Sequence, residues 1–320
     1  MRCILKWIWI VSGLVFSNWG FADEPTVDHR YAEVNGIRMH YAAAGDGKLI
    51  LFLHGFPEFW YQWRIQLADF GRDYLAVAPD LRGINLTSRP ADVAQYRMKT
   101  LVEDVRALAD HLGQRKFVLV GHDWGGLIAW AFALYYPERL EKLVILNAPH
   151  PLIFEREFKE NPAQELASQY MLMFNTPQAE AWLAEKDYAQ LTYFVLGEGL
   201  DKGYVTEEDK AKYLALWHDG GSITGGLNYY RAARIGPAPK PGDYWSARKY
   251  FAPEIKSWEV RVPTLVIWGV MDPFLTAGNL SGLNKYVPDL TVKLFPTDGH
   301  WLNRARAQEV NTAIREFIAK

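Results

Sequence analysis

Residues 116–136 read KFVLVGHDWGGLIAWAFALYY. A short β-rich apolar run, Phe117 to Val120, meets a polar residue flanked by glycines, and a long apolar helical pattern follows. This strand–turn–helix outline is that of a nucleophile elbow, in which one side chain is held out on a sharp turn. Gly121 and Gly125 leave room for a strained turn, and Gly126 lets the helix pack close to the strand. The central residue of such an elbow is usually serine; here it is Asp123. Aspartate is also a good helix N-cap, so the elbow alone leaves its role open.

Working outward, the same rhythm recurs. YAEVNGIRMHYAAAG (31–45) has two alternating runs joined by Asn35-Gly36, which predicts a hairpin with a tight type I′ turn. LILFLHG (49–55), YLAVAPD (74–80), KLVILNAP (142–149), PTLVIWGVMD (263–272) and TVKLFPTDGH (291–300) are short apolar runs that end in polar or turn residues. Such runs predict strands covered on both faces. TLVEDVRALADHLG (100–113) and AQEVNTAIREFIAK (307–320) have helical spacing. Strands alternating with helices predict an α/β fold with a mainly parallel sheet.

One interval breaks the alternation. Residues 150–255 hold helical patterns, AQELASQYMLMF (163–174), EAWLAEKDYAQLTYFV (180–195) and EEDKAKYLALWHD (207–219), and end near the Pro/Gly-rich IGPAPKPGDYW (235–245). They are expected to form a helical cap inserted between two core segments, residues 23–149 and 256–320.

The chain has 320 residues, 49% hydrophobic and 22% charged, which suffices for one large core with an insert. With a formal net charge of −2 and no long basic run, nucleic acid and anionic membranes are not expected partners. The 13 Trp and 17 Tyr suit an apolar pocket. Arg2 and Lys6 precede the apolar run WIWIVSGLVF (7–16) and the small-x-small end Gly20-Phe21-Ala22. This pattern predicts a secretory signal peptide, residues 1–22, cleaved after Ala22, and a periplasmic or secreted protein. The apolar run is short of the roughly 20 residues of a spanning helix, so no stable membrane anchor is expected after cleavage. Cys3, the one cysteine, lies in this leader, so the mature chain would have no disulfide, thiol nucleophile or Cys-ligated zinc. Oligomeric state leaves no signature here.

In an open parallel sheet, ligands bind beyond the carboxyl ends of the strands. Three candidate catalytic side chains sit at such ends: Asp123, Asp272 and His300, in the order nucleophile, acid, histidine. Asp298, two residues from His300, is a rival acid with an awkward reach; Asn147 is not a carboxylate. In LHGFP (53–57), the Phe56 N–H could pair with that of Trp124 to form an oxyanion hole, while His54 is expected to shape the loop.

HGFPEFWYQWR (54–64), PDLRG (79–83), GHDWGG (121–126), GVMDP (269–273) and DGHW (298–301) together resemble the α/β-hydrolase epoxide hydrolases over nearly the whole chain after the leader. The resemblance implies an α/β-hydrolase fold and conversion of an epoxide to a vicinal diol through an ester on Asp123. It calls for no metal or organic cofactor. It also implies two cap tyrosines that hydrogen-bond the epoxide oxygen: Tyr170, from QYMLMFNTPQAEAWL (169–183), and Tyr230, from GGLNYYRA (225–232), with Tyr229 as the neighbour that could be confused with it. After DGHW the family commonly has acidic residues and a proline; here the chain reads LNRARAQEVN (302–311). Arg304 and Arg306 would then either lower the basicity of His300 or form a solvated helix start, the latter being expected. Asn85 stands where a second glycine often lies. A haloalkane or haloacid dehalogenase shares the Asp-His-Asp logic but needs halide donors; its loop often carries Asn where this chain has Phe56, although Trp124 could supply one donor. A ligand-binding homologue without turnover is the alternative from another class. An ester hydrolase fits less well, because carboxylate attack on an ester would give an anhydride.

Overall fold

The computed structural model describes residues 26–240, 242–251 and 253–320; the leader expected at 1–22 lies outside the described residues. Asp28–Val34 (β1) and Ile37–Ala44 (β2) form the hairpin, with Val34 opposite Ile37. Asn35 and Gly36 turn it at φ 45° and 76°, the left-handed pair that a type I′ turn requires. Six further strands follow among the described residues: Leu49–Leu53 (β3), Leu75–Pro79 (β4), Phe117–His122 (β5), Leu140–Leu146 (β6), Thr264–Gly269 (β7) and Leu290–Phe295 (β8). The sheet order is β1-β2-β4-β3-β5-β6-β7-β8. β2 meets β4 antiparallel, and every pairing from β4 through β8 is parallel.

The inner strands β3, β5 and β7 are buried along their whole length because helices cover both faces. Alternate residues feed opposite layers. Leu51 and Leu119 face Val105 and Ile128, while Phe52, Val120 and Ile267 face Trp63, Leu67 and Ile314. Helix Trp124–Tyr135 is apolar all round and lies in the first layer, as its sequence implies.

Between β6 and β7 the described residues form helices and connections. The helical patterns there are more broken than their spacing suggests. AQELASQYMLMF splits into Pro162–Ala167 and Tyr170–Phe174, and Gln164 in the first piece points inward. Its side chain donates to the Phe274 carbonyl (2.8 Å) and accepts from Thr276 N (2.8 Å). Helix Ala179–Leu191 kinks at Glu185–Tyr188, where three residues have φ of 48°, 59° and 58°. Asp187 there reaches His218 at 2.7 Å and Tyr188 packs edge-on against the same ring. Helix Ser222–Ala233 crosses the loop after β4 so closely that a Cβ on Gly225 would lie 2.1 Å from the Gly83 carbonyl oxygen.

Candidate active site

The elbow is a real break in backbone geometry. Asp123 has φ 52° and ψ −122°, a conformation that L-residues rarely adopt and that clusters at functional sites. The chain can turn this tightly because Gly125 lies against β3: a Cβ there would sit 2.2 Å from the Leu53 carbonyl oxygen. The turn carries Asp123 to the carboxyl end of the sheet, where Phe56 N–H donates to its Oδ1 at 2.9 Å.

The loops after β7 and β8 bring the other two residues alongside. His300 Nδ1 lies 2.6 Å from Asp272 Oδ2, and its Nε2 lies 3.7 Å from Asp123 Oδ2. Asp272 is fully buried and saturated: Oδ1 accepts from Phe274 N (2.8 Å) and Leu275 N (3.0 Å), and Oδ2 accepts from Asn147 Nδ2 (2.7 Å). Asn147, set aside in the sequence because it is no acid, emerges as the residue that fixes Asp272. It stands at φ 38° and also accepts from Gly269 N at 3.0 Å. Asp298 faces elsewhere and binds Arg306 at 2.7 Å. His54 lies in its loop, with Nδ1 toward the Gly55 carbonyl (2.8 Å) and Nε2 accepting from Leu81 N (3.0 Å).

Asp123 sits in the assembled cavity and not at the open surface. Its side chain is 16% exposed. Burial pushes its pKa up to about 6, against the pull of His300 and of the Phe56 and Trp124 N–H groups. It remains ionised at neutral pH with a narrower margin. Burial alone would lower the His300 pKa, but Asp272, Asp123 and Glu58 together raise it.

Tyr170 and Tyr230 come down from the cap onto the same cavity, of about 310 Å³, that Asp123 and His300 line from below. Tyr230 is buried and Tyr170 half-buried, and desolvation drives both phenols upward in pKa, so both keep their protons. The hydroxyls lie close enough to influence one another, and the Trp124 ring packs edge-on against that of Tyr230 at 4.9 Å. Tyr229 points the other way and donates to the Arg82 carbonyl at 2.7 Å.

A family described as the alpha/beta hydrolase fold matches residues 48–303. Epoxide hydrolase 3 of Xenopus tropicalis is 36% identical, covering 89% of this chain and 75% of its own. Bacillus megaterium epoxide hydrolase in complex with an inhibitor superposes with TM-score 0.85 at 37% identity, covering 91% of this chain and all of the other. The chain belongs to the epoxide hydrolase family of α/β hydrolases. A mutant of the Bacillus megaterium enzyme complexed with its product, (R)-3-[1]naphthyloxy-propane-1,2-diol, matches with TM-score 0.84 at 36% identity over 91% of this chain and all of the other.

Beneath the site, the hydrolase carries a polar network that its motifs did not reveal. Gln62 accepts from Gly55 N (3.2 Å) and donates to His122 Nδ1 (2.8 Å). His122 Nε2 then donates to the His300 carbonyl at 2.9 Å, tying the elbow strand to the histidine loop. Glu58 accepts from Tyr213 (2.9 Å) and from the Trp301 indole (3.2 Å). Arg304 corrects the expectation of a solvated helix start. It is 4% exposed, lies 3.4 Å from Glu58, and donates to Tyr213 Oη (3.0 Å) and the Val195 carbonyl (2.9 Å). Nor is His300 made less basic, because the surrounding carboxylates outweigh this cation. Arg306 alone lies at the surface, paired with Asp298. Asn85, at φ 47°, uses its amide to donate to Asp80 at 2.7 Å, a bond a glycine could not make.

Proposed function

We propose that this chain hydrolyses an epoxide to a vicinal diol through a covalent ester on Asp123. The observation that carries the reading is the placement of two protonated phenols opposite one ionised carboxylate across an apolar cavity. Such a pairing suits a saturated carbon that leaves an oxygen behind.

In the first step an oxygen of Asp123 attacks a ring carbon. The carbon–oxygen bond breaks, and its electron pair goes to the ring oxygen, which takes a proton from Tyr170 or Tyr230. Oδ1 is already engaged by Phe56 N–H, which leaves Oδ2, on the His300 side, as the attacking atom. The ester carbonyl oxygen is then Oδ1, already resting on one donor of the oxyanion hole. In the second step His300 removes a proton from water, whose oxygen attacks Cγ of Asp123. The tetrahedral oxyanion is held by the N–H groups of Phe56 and Trp124. Its collapse breaks the bond from Cγ to the diol oxygen, which takes the proton held by His300, and the proton left on the Asp123 carboxyl returns to the tyrosinate, restoring both the anion and the phenol. Asp272 holds the His300 ring and balances its transient charge. Esterification removes the Asp123 charge, so His300 becomes a weaker proton holder and a readier acid for the departing diol.

The dehalogenase alternative finds less support. The Phe56 side chain carries no donor, and the Trp124 ring is packed edge-on against Tyr230 at 4.9 Å. The test is mass spectrometry of His300→Gln incubated with a phenyl-substituted epoxide. A substrate-sized adduct on Asp123 is expected; absence of any adduct while the wild type turns over would sink the two-step scheme. We further propose export with cleavage after Ala22, on the strength of the basic–apolar–small leader. N-terminal sequencing of the protein recovered outside the cytoplasm should begin at Asp23; an N-terminus at Met1 would refute it.

A further inference from the structure

Two cavities of unequal size meet at the reacting groups. Asp123, Tyr170 and Tyr230 line both of them. The wide chamber, about 310 Å³, continues past His300, Phe274 and Trp301. It opens at a rim where Leu166 is 75% and Phe194 51% exposed. The narrow one, about 10 Å³, is closed by Leu127, Phe154, Met171, Ile235 and Leu275. Each of these side chains is buried, and Phe154 and Ile235 are 1% and 0% exposed. About 10–15 Å³ by this measure holds a single water, so the narrow side has room for hydrogen or a methyl group.

An epoxide whose oxygen sits between the two phenols while a ring carbon faces Asp123 must send the substituents of its two carbons toward these two spaces. We propose that the site is built for epoxides with one large apolar group on one ring carbon and hydrogen or methyl on the other, and that the Phe154–Ile235 wall enforces this. The inference rests on the epoxide reading above. The large group occupies the wide chamber and can be long, because that chamber is open at the Leu166–Phe194 rim. A larger group on the second carbon forces close-packed side chains apart, and a shape mismatch of one methylene is typically worth about 10–200-fold in discrimination.

The experiment compares kcat/KM over a series with phenyl on the first ring carbon and hydrogen, methyl, ethyl or phenyl (trans) on the second. Hydrogen and methyl should lie within about tenfold of each other, ethyl at least about tenfold lower, and phenyl at least about 100-fold lower. Phe154→Ala and Ile235→Ala, each checked for a cooperative melt, should raise the diphenyl-to-monophenyl ratio by about tenfold or more. Two variants on different elements guard against one failing to fold. Equal efficiency across the wild-type series, or a ratio unmoved in folded variants, overturns the inference and leaves the epoxide reading standing. Turnover of no member of the series overturns both.

Discussion

Asp123 and Tyr230 face each other across one cavity, yet they are held in different ways. The carboxylate is fixed by main chain, a strained elbow and a Phe56 N–H, beside a histidine that a saturated Asp272 holds. The phenol is fixed by side chains, packed edge-on against Trp124 at 4.9 Å, Phe174 at 5.0 Å and Phe56 at 5.7 Å. A floor set by backbone tolerates little change in geometry and decides whether chemistry happens. A lid set by aromatic packing can vary in shape and decides what is accepted.

The sharpest attack on this contrast is Asp123→Ala. It should lower kcat by at least about 10⁴-fold, in line with nucleophile deletions elsewhere, and leave no adduct in mass spectra. Removing one lid donor should cost less. Tyr230→Phe is expected to slow ring opening by about 10²–10³-fold in single-turnover kinetics, the usual worth of one positioned donor. Equal losses in the two variants would erase the distinction.

Arg304 joins the two halves, so it tests whether they are separable. Arg304→Met leaves Glu58 buried without its cation and should destabilise the fold by about 3–5 kcal/mol in chemical denaturation. Adding Glu58→Gln should recover part of that loss, a coupling that a double-mutant cycle reads directly. The pH dependence probes the floor alone. Burial raises the Asp123 pKa to about 6, so the attacking anion is lost as pH falls through that value. Single-turnover ring opening should therefore decline by about tenfold per unit below pH 6; a flat profile down to pH 4.5 would contradict it. The smallest effect is expected from Tyr229→Phe. It removes only a bond to the Arg82 carbonyl, costing about 1 kcal/mol in thermal unfolding with ring opening intact.

The floor was largely legible in the sequence because strands and elbows are local. Apolar runs bounded by turn residues give β3, β5 and β7, and Asp123, Asp272 and His300 each end such a run. The lid was legible as helical but not in its breaks. Gln164 binds Phe274 and Thr276, more than 100 positions away, and the residues at the Lys186–Tyr188 kink meet His218, so neither setting has a local signal. Asn147 stands out in the sequence only as a non-acid, because its role is to hold an acid and not to be one. Arg304 was misread because its partners, Glu58, Tyr213 and Val195, are all distant in the chain, so that local charge pattern suggested water where the fold supplies a carboxylate. The raised Asp123 pKa has no local signal either, since burial is a property of the assembled cavity.

The Arg304 tie has a consequence for traffic. Its guanidinium ends on a cap carbonyl and a cap hydroxyl while its own backbone belongs to the turn that follows His300. Trp217 adds a bond to the Pro57 carbonyl at 2.9 Å, and Ser222 takes one from Asn85 N at 2.7 Å. The roof is thus pinned to the core at several separate points. The chamber meets solvent at the exposed Leu166 and Phe194 side chains, so an oily passenger partitions between that threshold and water on its way in and out.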